Sequence, residues 1–163
     1  MKITAQEEYG LRCLLQLAKN ADEARPMTVR EVAANEGIST AYAEKLLHQL
    51  SKAGLAESVR GIRGGFRLKR RPEDVSIGDV VRALGSFLTH GAICQRFTGE
   101  ETQCVHNKNC GLRPVWSTLN YHIQKLLDNM PLTLLLQDER DARHAMVEMV
   151  PFPFASKTAG GVA

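Results

Sequence analysis

The clearest fold signal in this sequence lies in residues 28–50, which read TVREVAANEGISTAYAEKLLHQL. Thr28 and Glu31 have the spacing of a capping box, which predicts a short helix over the residues that follow. Gly37 can adopt the left-handed backbone that ends a helix, and Ser39 can cap a second helix directly after it. Two short helices joined by a tight glycine turn are typical of a helix-turn-helix.

The flanking residues extend this motif to a winged helix. Residues 4–19 begin with the capping box T-A-Q-E, which predicts a helix ahead of the motif. After the motif, residues 55–59 alternate as a strand does and residues 66–68 return, with a glycine-rich hairpin tip between them. Residues 76–84 predict one further short helix. The predicted fold is therefore mainly α with a small β wing, a winged helix-turn-helix.

Basic residues are concentrated in the predicted wing. The whole chain carries 21 Lys and Arg against 18 Asp and Glu, and this net charge of +3 does not by itself indicate nucleic-acid binding. In residues 60–71, however, six of the twelve are basic and none is acidic. A wing would bring that charge to DNA phosphates. The alternatives are a helical hairpin for protein contacts, or a nucleotide phosphate loop, which lacks its G-K-[ST] element here.

The second helix of a helix-turn-helix enters the major groove with its N-terminal residues first. Serine and threonine hydroxyls adapt to base edges, Lys45 suits guanine or phosphate, and Glu44 repels phosphates and so restricts the sequence bound. Arg63 at the wing tip suits a minor groove. The predicted DNA contacts are Thr28, Ser39, Thr40, Tyr42, Glu44, Lys45, Arg60, Arg63, Gly64 and Arg67.

Residues 90–111 lose helical periodicity and contain Cys94, Cys104 and Cys110, with His106 between the last two. Three thiolates in one irregular segment can hold zinc or an iron–sulfur centre. The three cysteines with His106 also match a three-thiolate, one-imidazole zinc site, although no close C-x₂₋₄-C pair is present. Unmetallated core cysteines, or a cysteine nucleophile with His106 as base, are the other interpretations. The residues alone therefore predict a metal or cluster without deciding its type.

The remaining cysteine, Cys13, lies within the first predicted helix, where a buried packing thiol is the expected role. The chain has 163 residues, 44% hydrophobic and 24% charged, which is typical of a globular protein. No stretch approaches the ~20 consecutive apolar residues of a membrane helix, and the charged first thirty residues do not resemble a signal peptide. We therefore expect a soluble, cytoplasmic protein.

A long helix is predicted after the cysteines. Apolar residues follow one another there at alternating spacings of four and three, the pattern of a coiled-coil seam that favours dimerisation. The seam comprises Leu112, Trp116, Leu119, Ile123, Leu126 and Met130. The predicted organisation is a DNA-binding domain over 1–88, a cysteine loop over 89–111, a dimerisation helix and C-terminal helical segment over 112–150, and a flexible tail over 151–163.

Together these features resemble the IscR/NsrR-type (Rrf-two) family of bacterial winged-helix regulators. The resemblance covers roughly residues 1–140. It is carried by the wing tip VRGIRGGF at residues 59–66, by S-x-x-Y-x-E-x-L at residues 39–46, and by the three-cysteine loop before the long helix. The wing glycines and the cysteine loop together are specific to the family.

The resemblance implies a homodimeric transcription regulator, a repressor of pseudo-palindromic operators, with DNA affinity set by an iron–sulfur cluster that responds to redox change, nitric oxide or iron. The implied thiolate ligands are Cys94, Cys104 and Cys110. Some family members use a histidine as fourth ligand, but Arg113 occupies that position here. Others use an acidic residue at the start of the first helix, donated across the dimer. Glu7 and Glu8 both lie there, and because Glu7 already has a capping role the implied ligand is Glu8, with His106 as competitor. The nine residues between the first two cysteines exceed the common family spacing, so two-iron and four-iron clusters both stay open.

Overall fold

The computed structural model describes residues 3–23, 25–61, 64–85, 99–101, 103–106 and 108–149. Arg63, Cys94 and the predicted tail over 151–163 lie outside the described residues. The helices are α1 (Ala5–Lys19), α2 (Val29–Glu36), α3 (Thr40–Lys52), α4 (Ile77–Ala83), α5 (Leu112–Asp128) and α6 (Glu139–Met149). The strands are β1 (Ala56–Val59) and β2 (Gly65–Leu68), and short 3₁₀ turns cover Pro72–Asp74 and Leu132–Leu136. The predicted winged helix with a long following helix is confirmed.

The helix boundaries follow from local capping. At the start of α1, the Thr4 hydroxyl accepts a hydrogen bond from the Glu7 backbone N–H at 3.2 Å, and the Glu7 carboxylate accepts one from the Thr4 N–H at 2.7 Å. The same reciprocal pair joins Thr28 and Glu31 at the start of α2. Gly37 ends α2 with a left-handed φ of 65°. Both predicted capping boxes and the predicted glycine turn are present.

The core lies where α1, α2 and α3 pack against α4 and the wing. Its fully buried members are mostly leucines and valines: Leu14, Leu17, Val32, Leu46, Leu47, Leu50, Leu55, Val75, Val80 and Leu132. Cys13 is fully buried among them, and this burial raises the pKa of its thiol to about 12. The prediction that Cys13 is a packing thiol is therefore confirmed. Leu132, which follows the long helix, belongs to the same core as the helix-turn-helix.

The wing is attached to the helix-turn-helix through its second strand. β1 and β2 pair antiparallel with Ser58 opposite Phe66. The Phe66 N–H donates to the Met27 carbonyl at 2.7 Å, and the Met27 N–H donates back to the Phe66 carbonyl at 3.0 Å. Gly65 lies so close to Met27 that a Cβ atom there would stand 2.2 Å from the Met27 carbonyl oxygen. The strand can approach the segment before α2 only because residue 65 has no side chain.

We expect Gly65→Ala to destabilise the protein by about 1–3 kcal/mol, because the contacted atoms are backbone and cannot move aside. Gly111→Ala is the matched control, since that glycine has a right-handed helical φ of −63° and nothing lies within 4 Å of its Cβ position. Urea unfolding of the two variants measures the difference. Equal midpoints for both would contradict the close approach at the wing.

The long helix α5 packs on its own chain through only part of its length. Leu126 and Leu127, near its C-terminus, contact a small cluster that contains Ile77 and Met130. None of the residues of α5 is buried in the single chain. The predicted seam is wrong at Met130, because α5 ends at Asp128 and Met130 is then 4% exposed inside this cluster.

Candidate DNA interface and cysteine segment

The N-terminal turn of α3 presents most of its predicted DNA contacts to solvent. Ser39 caps α3 by accepting a hydrogen bond from the Tyr42 N–H at 3.2 Å, and Ser39, Thr40 and Lys45 are exposed. Tyr42 is half-buried and lies edge-to-face on Tyr9 of α1, with ring centroids 6.2 Å apart. The start of α3 therefore offers hydroxyls and an ammonium group on a helix fixed in place by an aromatic contact.

Glu44 and His48 form the next exposed turn of α3. The His48 Nε2 atom lies 3.8 Å from a Glu44 carboxylate oxygen. The His48 ring also contacts Phe66 of the wing edge-to-face, with centroids 5.5 Å apart. Helix α3, the second helix of the helix-turn-helix and hereafter the recognition helix, is thus in direct contact with the wing.

Gly61 and Gly64 shape the described part of the wing turn. Gly61 has a positive φ of 114°, and the Gly64 N–H donates to the Gly61 carbonyl at 2.9 Å. A Cβ atom at Gly64 would stand 2.5 Å from the Val59 carbonyl oxygen. Sequence analysis singled out Gly64 as a DNA contact, and the structure gives it in addition a steric role in closing the turn.

Three of the basic residues between positions 60 and 71 have carboxylates beside them in the folded chain. Arg67 of β2 faces Glu57 of β1 at 2.6 Å, as the register of the hairpin requires. Two more basic residues have carboxylates nearby: Arg70 has Asp79 at 3.7 Å, and Arg71 has Asp74 at 3.0 Å and Glu73 at 3.3 Å. Within the described part of the chain, Arg60 and Lys69 have no ion pair. Counting acids along the run missed carboxylates that folding brings beside it.

Thr28, another predicted contact, is half-buried at the start of α2. Its hydroxyl donates to the Glu31 carboxylate at 2.9 Å, and Arg25 pairs with the same carboxylate at 2.7 Å. The Arg25 ion pair and the Thr28 hydrogen bonds lower the pKa of Glu31 to about 2. Thr28 is therefore held in a capping network beside the recognition helix.

Cys104 and Cys110 are free, half-buried thiols immediately before α5. The Cys110 carbonyl accepts a hydrogen bond from the Arg113 N–H at 3.2 Å, so this cysteine joins the first turn of the helix. His106 is exposed between the two cysteines. In the ranges that the structure describes, no three His, Cys, Asp or Glu side chains come together as a metal site. The predicted ligands are thus not assembled by the described residues of one chain.

The two candidate carboxylates at the start of α1 have different environments. Glu7 is 6% exposed and its carboxylate is held by Thr4 in the capping box. Glu8 is exposed and pairs with Arg12 at 2.9 Å, and Arg12 lies 3.9 Å from Glu36. The Glu8 carboxylate is the more accessible of the two.

A groove of about 700 Å³ lies between α1, α4 and the C-terminal half of α5. Its floor is apolar, and Glu8 and Arg12 stand on its rim. The apolar lining residues are Ile3, Leu11, Leu15, Ile77, Val81, Ile123, Leu126, Leu127 and Leu135. Among the residues described, no helix has the length and apolar character needed to cross a bilayer.

Comparisons with known proteins identify the family of this chain. The Rrf2 family, described as iron-dependent transcriptional regulators, matches residues 3–138. The chain is 33% identical to protein rrf2 of Nitratidesulfovibrio vulgaris over 138 residues, 85% of this chain and 89% of that protein. It is 34% identical to the transcriptional regulator NsrR of Bacillus licheniformis over 129 residues, 78% of this chain and 85% of that protein. The solved structure of T. potens IscR superposes with a TM-score of 0.63 at 30% identity, covering 89% of this chain and 90% of that one. The chain therefore belongs to the Rrf2 family and is a winged-helix, DNA-binding transcriptional regulator rather than an enzyme.

Proposed function

We propose that this regulator binds operator DNA as a homodimer and holds an iron–sulfur cluster whose state sets its affinity for that DNA. The observation that carries the proposal is the pair of half-buried, unbonded thiols, Cys104 and Cys110, at the start of the long helix of a chain in an iron-dependent family. Cys13, by contrast, is sealed in the core with a raised pKa, so it is unsuited to ligation.

The donor set fits an iron centre. Thiolates of Cys94, Cys104 and Cys110 are soft ligands, and Glu8 of a second copy is the proposed fourth ligand, with His106 as its competitor. When bound, the cluster supplies iron atoms that respond to redox change or nitric oxide, with the carboxylate-held iron the more readily exchanged. Glu8 must leave Arg12 to bind, and an exposed ion pair of this kind opposes that release by only about 0–1 kcal/mol.

We propose that a second copy of the chain covers the apolar groove together with the exposed face of α5, since Ile123 and Leu126 of the predicted seam line the groove. The N-terminal half of α5 exposes the large apolar side chains of Leu112, Val115, Trp116 and Leu119. Contiguous exposed apolar surface of this kind marks an interaction site, since each Å² removed from water contributes about 25 cal/mol. Pairing of α5 with its counterpart covers these side chains and brings the partner close to the rim where Glu8 stands.

A two-fold dimer presents two α3 helices to successive major grooves, which is the geometry that reads a pseudo-palindromic site. In this arrangement Ser39, Thr40 and Lys45 meet base edges or phosphates, and Glu44 limits the sequences accepted. A change at the cluster alters operator affinity by changing the spacing of the two recognition helices, a two-state coupling between distinct sites.

Anaerobic purification tests this function directly. We expect coloured protein with iron and acid-labile sulfide, and an operator affinity that differs at least about tenfold between loaded and metal-stripped protein. The DNA probe is a duplex enriched from a random-sequence pool by the unaltered protein. Colourless protein with one zinc per chain would contradict the cluster and favour a zinc site. Equal operator affinity of the loaded and metal-stripped protein would contradict the sensing role.

The ion pairs of the wing predict which cations contact phosphates. We expect Arg60→Gln and Lys69→Gln each to make the salt dependence of binding less steep by about 0.9 in log Kd per log salt, the effect of one lost phosphate contact. Arg71→Gln is the control, because Asp74 and Glu73 lie within 3.3 Å of Arg71 and compete with a phosphate for it. Fluorescence anisotropy across a salt series measures the slopes. An equal change for Arg71→Gln would show that the ion pairs do not select the contacts.

A further inference from the structure

The end of the long helix is joined to α4 by a close contact and an ion pair. Arg82 of α4 donates a hydrogen bond to the carboxylate of Asp128, the last residue of α5. Gly78 of α4 lies against the same residue, and a Cβ atom there would stand 2.1 Å from the Asp128 carboxylate oxygen and 3.0 Å from its backbone nitrogen. A side chain at position 78 would displace the Asp128 carboxylate from this position.

Backbone hydrogen bonds extend the contact beyond the side chains. The Ile77 N–H donates to the Met130 carbonyl at 2.8 Å, and the Leu132 N–H donates to the Val75 carbonyl at 2.8 Å. The segment that follows α5 is therefore paired with the segment that connects the wing to α4. This pairing places the C-terminus of the long helix directly beside the start of α4.

Asp128 is unfavourably placed for α5 itself. A carboxylate in the last turn of a helix faces the negative end of the helix dipole, which disfavours it. Arg82 compensates this charge and also donates to Asp79 at 2.9 Å, and Asp79 lies 3.7 Å from Arg70 at the end of the wing. Charges thus alternate from Asp128 of the long helix through Arg82 and Asp79 of α4 to Arg70, two residues after β2.

We propose that Arg82 and Asp128 are positioning residues for operator binding, because they fix the winged helix relative to the long helix that sets the spacing of the dimer. Neither residue belongs to the recognition helix or the wing strands, so they act through the orientation of those elements. The proposal rests on the homodimeric DNA-binding function proposed above.

Variants that remove one charge at a time test the proposal. We expect Arg82→Gln and Asp128→Asn each to weaken binding to the enriched duplex about fivefold. The double variant is expected to be no weaker than Arg82→Gln, because that substitution already removes the Asp128 pair together with the pair to Asp79. Asp128→Glu keeps the charge and should largely restore affinity. Arg143→Gln is the control, since it breaks an exposed ion pair with Glu139 on α6.

Four further measurements separate positioning from general damage. The urea midpoint, the dimer mass and the anaerobic absorbance are expected to stay near those of the unaltered protein, whereas the Ile77 and Leu132 amides are expected to exchange hydrogen faster. Unchanged affinity in Asp128→Asn, additive losses in the double variant, or an equal loss in Arg143→Gln would overturn the proposal. If the unaltered protein is monomeric, the proposal of a homodimer is wrong. Amide exchange of Ile77 and Leu132 then still shows whether the Arg82–Asp128 pair holds α4 against the end of α5.

Discussion

Cys104→Ala is expected to abolish the visible absorbance of protein purified without oxygen, and Cys13→Ala is expected to leave it unchanged. Cys104 is a free, half-buried thiol in the segment before α5, whereas Cys13 is fully buried in the core. Removing one of three thiolates takes away one ligand of the proposed iron centre, and water is a poor substitute for a thiolate. The absorbance spectrum and the iron content per chain measure the loss.

The comparison of the two alanine variants controls for folding. Cys13→Ala alters a fully buried site in α1, so it is expected to lower the unfolding midpoint more than Cys104→Ala does. Loss of colour in Cys104→Ala, with an unfolding midpoint equal to that of the unaltered protein when both are metal-free, therefore identifies a ligand. An unaltered brown spectrum in Cys104→Ala would exclude this cysteine from the site.

The parts of the fold that sequence analysis predicted correctly depend on short spacings. The capping boxes at Thr4 and Thr28 involve residues three positions apart, and the glycine turn at Gly37 depends on one backbone conformation. The choice of Glu8 over Glu7 as the candidate ligand also used a local argument, and the structure confirms the capping role of Glu7 on which it depends. Such features need no knowledge of distant contacts.

The prediction is wrong at Met130, and the count along the basic run overlooks one pair of residues that are distant in sequence. A spacing of four and three residues places Met130 in the seam only if the helix continues, but α5 ends at Asp128 and the following turn buries Met130 against Ile77. The acid-free basic run was counted along the chain, whereas Glu57 reaches Arg67 from the opposite strand. The hairpin register, once assumed, would have predicted that pair.

The ligand set could be predicted only in part, for a physical reason. Cys104 and Cys110 lie close in sequence, but the proposed fourth ligand, Glu8, belongs to a helix about a hundred positions away and to another copy of the chain. Spacing in one sequence carries no information about which side chains meet across a two-fold axis. The residue types identify the candidate ligands, and only the contacts made in the proposed dimer decide which of them bind the cluster.

Leu119→Glu is expected to convert the proposed dimer to monomers and to weaken operator binding by about 100-fold or more, the range lost when two linked binding modules separate. Leu119 is 50% exposed on the N-terminal half of α5, inside the predicted seam. In the proposed dimer, a glutamate at this position would be buried without a positively charged partner. The free-energy cost of burying that carboxylate is far larger than the cost of losing one leucine contact. Sedimentation velocity gives the mass, and anisotropy with the enriched duplex gives the affinity.

Val147→Glu provides the matched control, because Val147 is 56% exposed on α6, outside the predicted seam. Both substitutions add one carboxylate at a comparably exposed apolar position of a helix, so effects of net charge on DNA binding cancel in the comparison. Monomeric Leu119→Glu beside dimeric Val147→Glu would locate the interface on α5. A dimer that survives Leu119→Glu, or dissociates equally in Val147→Glu, would instead mean that the exposed apolar side chains of the long helix do not join the two copies, and the spacing of the recognition helices would then need another origin.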